Sequence, residues 1–280
     1  MRRHQSGVAM VFVLALTVVL GMLMLQFSLT AKSQLAQATI LLDRARAETL
    51  AHSLESELLF LLLTEPRSTG PIVDEGGVPQ WNFEGSAFDF LGHSVRIQDM
   101  AGLFSMPDPG SPTRDFEAFL VIMGVDTEVA RAAGKRLFAA QMTPTKFPLQ
   151  TFSEVAAVTS LPRDIVARLE EVASFYPNVI LNPITAPREV LEARYGRDVA
   201  EFLLRQRHER RLNEVDVERI TARDIDMLTS LLVGPGFRLE VEAKVAEVRL
   251  VKRSVWTVYP SEEQNPLLLW SRHGVDPTGN

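Results

Sequence analysis

From Val8 to Ala31 the chain carries no charged residue, and Leu, Val, Met, Ala and Phe dominate as far as Phe27. The run exceeds the roughly 7–15 apolar residues of a secretory h-region. It fits the roughly 20 residues that cross a bilayer as a helix. At Lys32 charge returns, but the helical pattern continues. Residues Lys32 to Leu63 include no proline and no glycine, and good helix formers dominate. Leu35, Leu42, Ala45, Leu50, Leu54 and Leu58 form an approximate apolar stripe, with Asp43, Arg44, Arg46, Glu48, Glu55 and Glu57 mostly off it. Glu65-Pro66 ends the run. One helix is therefore predicted over residues 8–63, its first part suited to lipid and its second amphipathic.

Beyond it, residues 66–79 are rich in Pro, Gly, Ser and Thr and read as a loop. Short segments with strand character follow at Gln80–Phe83, Ala87–Leu91 and Ser94–Gln98, with Gly92-His93 as a tight turn. From Ser111 to Leu232 the pattern is one of short capped helices. Ser111-Pro112 and Thr185 with Pro187 mark helix starts, and Asp126 caps a helix over Thr127–Gln141. Thr151–Glu154 and Thr221–Asp224 have capping-box spacing. Phe237–Val248 alternates apolar and polar residues as a half-buried strand does, and Leu250–Tyr259 offers it a partner. Strands thus flank a helical block. The simplest architecture is α+β, a small antiparallel sheet packed on the long helix with an all-α domain inserted into it.

The chain has 280 residues, 46% apolar and 23% charged, with a net charge of −6. That length supplies one large or two small domains outside the membrane. The acidic balance argues against nucleic acid, whose phosphates call for a basic footprint. The absence of cysteine removes thiol catalysis and Cys-based metal sites. The five histidines are scattered, and no Gly-x-Ser-x-Gly, P-loop or His-Glu-x-x-His pattern occurs. The acid pairs Asp224/Asp226 and Glu240/Glu242 read as solvated faces, so no enzyme is expected. Arg205, Arg207, Arg210 and Arg211 form the basic cluster, read as a solvated helix face.

Arg2 and Arg3 ahead of Gly7 and the abutting apolar run predict a cytoplasmic N-terminus, because positive flanks resist translocation. A basic leader ending in glycine, joined to a long helix, resembles the type IV pilin-like proteins. The resemblance implies a prepilin peptidase cut between Gly7 and Val8, although Phe or Met is usual where Val8 stands. An uncleaved anchor with a chance glycine is the alternative. Most pilins and pseudopilins carry Glu at the fifth position after the cut, and here that position is Phe12. A carboxylate in hydrocarbon is costly unless paired, and a subunit at a filament tip has no predecessor to offer an amine. Phe at this place is a hallmark of the type II secretion minor pseudopilin K family (general secretion pathway protein K).

Further stretches are similar to that family. They are Asp99–Phe104 (DMAGLF), Phe116–Ala140, Phe147–Tyr176, and Val179–Val190 (VILNPITAPREV), where Pro183-Ile184 interrupts the usual Asn-Thr-Ala opening. The resemblance runs from Arg2 to about Arg253 in an order more specific than any single motif. It implies a leader over residues 1–7, a transmembrane and amphipathic pilin helix over 8–63, and a sheet domain in two parts, 64–110 and 233–260. The inserted helical domain, of helix-hairpin-helix or SAM-like type, would occupy 111–232, and 261–280 would be a tail. The implied function is that of a minor pseudopilin at the tip of the secretion pseudopilus, supporting export of folded proteins. The implied location is the bacterial inner membrane, single-pass, with the bulk periplasmic. Implied partners are the minor pseudopilins I and J, then H, the inner-membrane secretion platform and prepilin peptidase. No cofactor follows from the residues. Relatives are associated with calcium, but QMTPTKFPLQ at Gln141–Gln150 lacks the expected carboxylates, leaving Asp99, Asp108 and Asp115 nearby in sequence. The rival reading is a membrane-anchored periplasmic helix-hairpin-helix nucleic-acid-binding protein.

Replacing Gly7 with Leu is expected to block processing, because glycine lets backbone approach a protease closely. Mass spectrometry of the mature N-terminus checks this: Val8 should be first in the unaltered protein. Retained Met1, or a cut after Ala36-Gln37-Ala38, whose small residues have the spacing of a signal-peptidase site, would count against the leader.

Overall fold

The computed structural model describes residues 5–64, 81–107, 113–142, 149–175, 181–209, 217, 233–258 and 266–275. With no proline to interrupt it, Gln5–Thr64 forms a single helix of 60 residues, α1. Its C-terminal part is packed through Ala47, Ala51, Leu54, Leu58, Leu59 and Leu62. This corrects the stripe read from the sequence. Leu54 and Leu58 lie on the buried face, but Leu35 and Leu42 are 70% and 50% exposed, and Ala45 is exposed too. The true face steps by three and four residues and begins with two alanines, whose small side chains let a sheet approach the helix axis.

That sheet has five strands in the order β1-β2-β5-β6-β7, every neighbouring pair antiparallel. The strands are β1 (Phe88–Phe90), β2 (His93–Asp99), β5 (Gly236–Val245), β6 (Val248–Thr257) and β7 (Leu267–Val275). The alternation predicted near Phe237 holds, with Phe237, Leu239, Val241 and Ala243 buried toward α1. It stops at Val245, because Ala246-Glu247 turns the chain and Val248 already belongs to β6. The β1–β2 turn lies at Leu91-Gly92, one residue earlier than expected. Both have positive φ, 53° and 80°, as a two-residue type I′ hairpin requires. Gln80–Phe83 is not a strand: within its described residues, Trp81 and Phe83 are buried and stacked with ring centroids 6.0 Å apart. Leu267–Val275, inside the segment read as a tail, pairs with β6 as an edge strand. Its sequence, LLLWSRHGV, has no two-residue alternation to announce it.

Between β2 and β5, which pair directly, lie six α-helices among the described residues. They are α2 (Arg114–Ile122), α3 (Thr127–Gln141), α4 (Phe152–Thr159), α5 (Arg163–Val172), α6 (Arg188–Tyr195) and α7 (Arg197–His208). They enclose their own core around Phe116, Phe119, Leu120, Leu137, Leu169, Leu191 and Leu203. A short parallel pair, β3 (Phe104–Ser105) with β4 (Ala173–Ser174), ties the first part of the insertion to its middle. The Asp126 carboxylate accepts from the Glu128 and Val129 amides at 2.8 and 3.3 Å and starts α3 as predicted. Thr151 and Glu154 close a reciprocal capping box at α4. The starts read at Ser111-Pro112 and Thr221–Asp224 lie outside the described residues. Thr185 does not cap α6, whose N-cap is Pro187.

Thr185 is instead part of the joint between insertion and sheet. Asp99, the last residue of β2, is fully buried. Its Oδ1 accepts from the Ala101 and Gly234 amides at 3.0 and 3.3 Å. Its Oδ2 accepts from Asn182 Nδ2 at 2.9 Å and Thr185 Oγ1 at 3.0 Å. Asn182 also bonds through its backbone amide to the Ala101 carbonyl at 2.9 Å. Gly102 completes the joint, since a Cβ there would come within 2.7 Å of the Thr185 carbonyl carbon. Thus the DMAGLF and NPITA stretches, about 80 residues apart in sequence, form one polar knot.

Burial pushes the Asp99 carboxyl above its ordinary pKa of 3.8, against the bonds from Ala101, Asn182, Thr185 and Gly234 that hold it down. With the folded pKa raised, its titration favours the fold most below pH 3.8, and that contribution is lost as pH rises through the raised value. At neutral pH the donors matter more. Asp99→Ala would remove the acceptor that these four donors share and is expected to cost at least about 2 kcal/mol. Gly102→Ala, which must push Thr185 aside, is expected to cost ~1–3 kcal/mol. Urea unfolding of the detergent-solubilised chain, followed by Trp fluorescence, checks both; stabilities within about 0.5 kcal/mol of the parent would refute the joint's importance.

Candidate functional site: the uncovered half of the long helix

Gly7 and Val8 lie in the opening turns of α1. Phe12 follows on the same helix, 73% exposed. From Met10 to Leu29 every large apolar side chain of α1 is exposed, and Leu35, Ile40, Leu41 and Leu42 extend this surface toward the body. A soluble monomer rarely leaves so large an apolar surface bare. The polar atoms in it are partly self-satisfied: the Thr17 hydroxyl donates back to the Val13 and Leu14 carbonyls at 3.0 and 2.8 Å. Hydrocarbon imposes that condition on a hydroxyl. Among the described residues α1 is the one helix long and apolar enough to cross a membrane.

The uncovered half is useful only if the covered half is fixed. Besides the apolar contacts, a carboxylate holds it. Glu55 is 2% exposed, although its sequence position suggested the polar face. Its Oε2 accepts from Lys252 Nζ. Its Oε1 accepts from the Ser254 hydroxyl and, at 3.1 Å, from Trp256 Nε1. Trp256 Nε1 also lies 2.9 Å from Ser254 Oγ. Lys252, Ser254 and Trp256 occupy alternate positions of β6, opposite Val241, Leu239 and Phe237 of the inward β5 face. Polar residues at inward positions of a strand were the available signal for a buried partner on α1.

Other charged residues prove structural. Arg207 was read as part of a solvated face, but its side chain is 11% exposed. It donates to the Pro183 and Ala186 carbonyls, both at 2.9 Å, and lies 3.4 Å from Glu84. Burial pushes the Arg207 guanidinium below its usual range and Glu84 above the carboxylate range, while their mutual attraction opposes both shifts. Arg205 sits 5.6 Å over the Phe202 ring. Arg210, Arg211, Asp224 and Asp226 fall outside the described residues. Glu240 and Glu242 pair across strands with Arg253 and Arg249 on the outer sheet face. Arg238 reaches from β5 to the Glu170, Glu171 and Ala173 carbonyls at the end of α5, and burial pushes its pKa down to about 10, so it stays charged. Of the carboxylates weighed for calcium, Asp99 is engaged by protein donors, Asp115 lies in the first turn of α2, and Asp108 is outside the described residues. No group of three or more His, Asp or Glu placed to hold a metal occurs among the described residues.

No protein-family model matches the chain, and no curated protein matches it. Among solved structures, it is similar to a chain in the crystal structure of the GspK-GspI-GspJ complex from the enterotoxigenic Escherichia coli type 2 secretion system. The TM-score is 0.51 and the identity 17%, over 87% of this chain and 99% of that one. At that identity the likeness establishes the fold alone, pilin-like α+β.

The Arg207 geometry separates two neighbours in the basic cluster. Arg207→Ala would orphan two carbonyls and Glu84 and is expected to destabilise the protein by about 2 kcal/mol or more. Arg205→Ala should stay within about 0.5 kcal/mol. Thermal melts of the two variants check the contrast, and equal effects would contradict the assignment.

Proposed function

We propose that this protein is a minor pseudopilin at the tip of a type II secretion pseudopilus, anchored in the bacterial inner membrane with its N-terminus cytoplasmic and its body periplasmic. One observation carries the reading. A single unbroken helix leaves an apolar half uncovered and fixes its other half to a pilin-like body with helices inserted between β2 and β5. The similar chain comes from a complex of pseudopilins, which supports partners of that kind, here the minor pseudopilins I and J, then H. In this reading the basic leader is removed by prepilin peptidase between Gly7 and Val8, and the α1 segment that follows joins the helices of neighbouring subunits. The helical insertion caps the filament, which the secretion platform extends so that folded substrates move toward the outer membrane. The protein acts by assembly and carries out no chemistry of its own. The nucleic-acid reading loses one cation of its cluster, because Arg207 is committed to backbone carbonyls inside the fold.

Phe12 is the residue that places the subunit first. A tip subunit has no preceding amine, so Phe12→Glu puts a carboxylate at bilayer depth without a partner, at ~3 kcal/mol on insertion scales. The variant should still be processed, because the cut precedes it, but should assemble poorly or lose its tip position. Cross-links between cysteines engineered into this membrane helix and those of its partners, with secretion measured alongside, check the expectation. Unchanged cross-links with full secretion would remove Phe12 as the tip determinant.

A further inference from the structure

The apolar contact between α1 and the sheet has a weakness. Leu50, Leu54, Leu58 and Leu62 repeat every four residues, as do Ala47 and Ala51. If the helix slides by four residues, about 6 Å along its axis with about 40° of rotation, leucines again face the positions that leucines held. Hydrophobic burial is non-directional and would discriminate poorly between the two placements. The row Ala51, Glu55, Leu59 is different. Only its middle member is polar, and it meets Lys252, Ser254 and Trp256, a charge and two hydrogen-bond donors on the inward face of β6. After a slide in either direction Ala51 or Leu59 would face those groups. Glu55, buried in the native placement, would be separated from all three.

We infer that Glu55 is a register lock: its carboxylate, and not the leucine row, selects the axial position of α1 on the sheet. Leaving a buried charge unpaired is strongly unfavourable, and a single polar residue in an apolar seam fixes register in coiled coils for the same reason. For a helix whose other half is apolar enough to span a membrane, this register sets how far the folded body stands from that half. Glu55 lies 24 residues beyond Ala31, the end of the uncharged run, or roughly 36 Å of helix.

The chain has no cysteine, so spin labels placed through cysteines at the exposed positions Ser53 and Glu247 report the register of the full chain in detergent. The parent should give one narrow distance. Glu55→Leu should add a second, displaced population. Glu55→Leu combined with Leu59→Glu moves the carboxylate by four residues and should shift the main population, reflecting an axial slide of about 6 Å. If Glu55→Leu does not fold, the triple variant Glu55→Leu, Lys252→Met, Ser254→Ala relieves the orphaned groups; it should fold and populate more than one register. A single parental distance in the folded Glu55→Leu or triple variant overturns the lock. So does an unmoved distance in the transplanted variant. Failure of the triple variant to fold also overturns it, since the cluster would then hold the fold together and not choose among registers.

Discussion

One helix has to satisfy two surroundings, and the rest of the fold follows from how it divides. From Met10 to Leu42 the large apolar side chains of α1 are uncovered; from Ala47 onward α1 lies across a sheet. The sheet needs the helix as much as the reverse. Phe237, Leu239, Val241 and Ala243 project from one face of β5, and α1 supplies the Leu54, Leu58 and Leu62 side chains that cover them. Each fully buried leucine stabilises by about 1.5–3 kcal/mol. Without α1 the same face would be open to water. The covered half therefore makes the body a folded unit, and helical continuity through Asp43 to Arg46 makes the uncovered half a rigid extension of it.

The inserted helices need a second constraint, because they have a core of their own. They leave the sheet after Asp99 and return at Gly236, and Asp99 pairs with Phe237 in the β2–β5 register. Exit and return are thus adjacent, so the insertion does not split the sheet. The Asp99 knot then fastens the NPITA segment, deep in the insertion, to the exit point. Arg238 adds a second tie, its guanidinium spent on backbone carbonyls at the end of α5, and Arg207, which holds the Pro183 and Ala186 carbonyls within the insertion, adds a third through Glu84 beside the sheet, 3.4 Å away. Three polar joints, one of them fully buried, restrict the insertion's orientation in a way that apolar contact alone would not.

Much of this was legible because it is local. The long helix, the Asp126 and Thr151 caps and the β5 alternation each depend on neighbours within four residues. What was not legible depends on distant partners. Glu55 resembles any solvated helix residue until β6 presents Lys252, Ser254 and Trp256. Thr185 has the look of an N-cap, but Asp99, far back in the chain, claims its hydroxyl. Arg207 sits in a run of arginines and turns inward because Pro183 and Ala186 leave carbonyls there. β7 lacks alternation and is recognised only by its pairing with β6. Of the site itself, the uncovered apolar half was plain from composition, whereas the point where cover begins was misplaced. The Leu35, Leu42, Ala45 spacing mimics a packed stripe although nothing among the described residues lies against it.

Glu55 and Phe12 together show what a carboxylate on α1 requires. At position 55 the fold gathers one ammonium, one hydroxyl and one indole N–H, and the charge becomes an asset for placement. At position 12 this chain has only apolar neighbours, from Met10 and Val11 to Val13 and Leu14. A charge there would depend entirely on a donor from another molecule. With phenylalanine at 12 and glutamate at 55, the buried carboxylate of α1 stands where the chain's own strands satisfy it. The apolar end is left free of any demand on a neighbour. The tip position proposed for this chain, with nothing ahead of it, sets that condition.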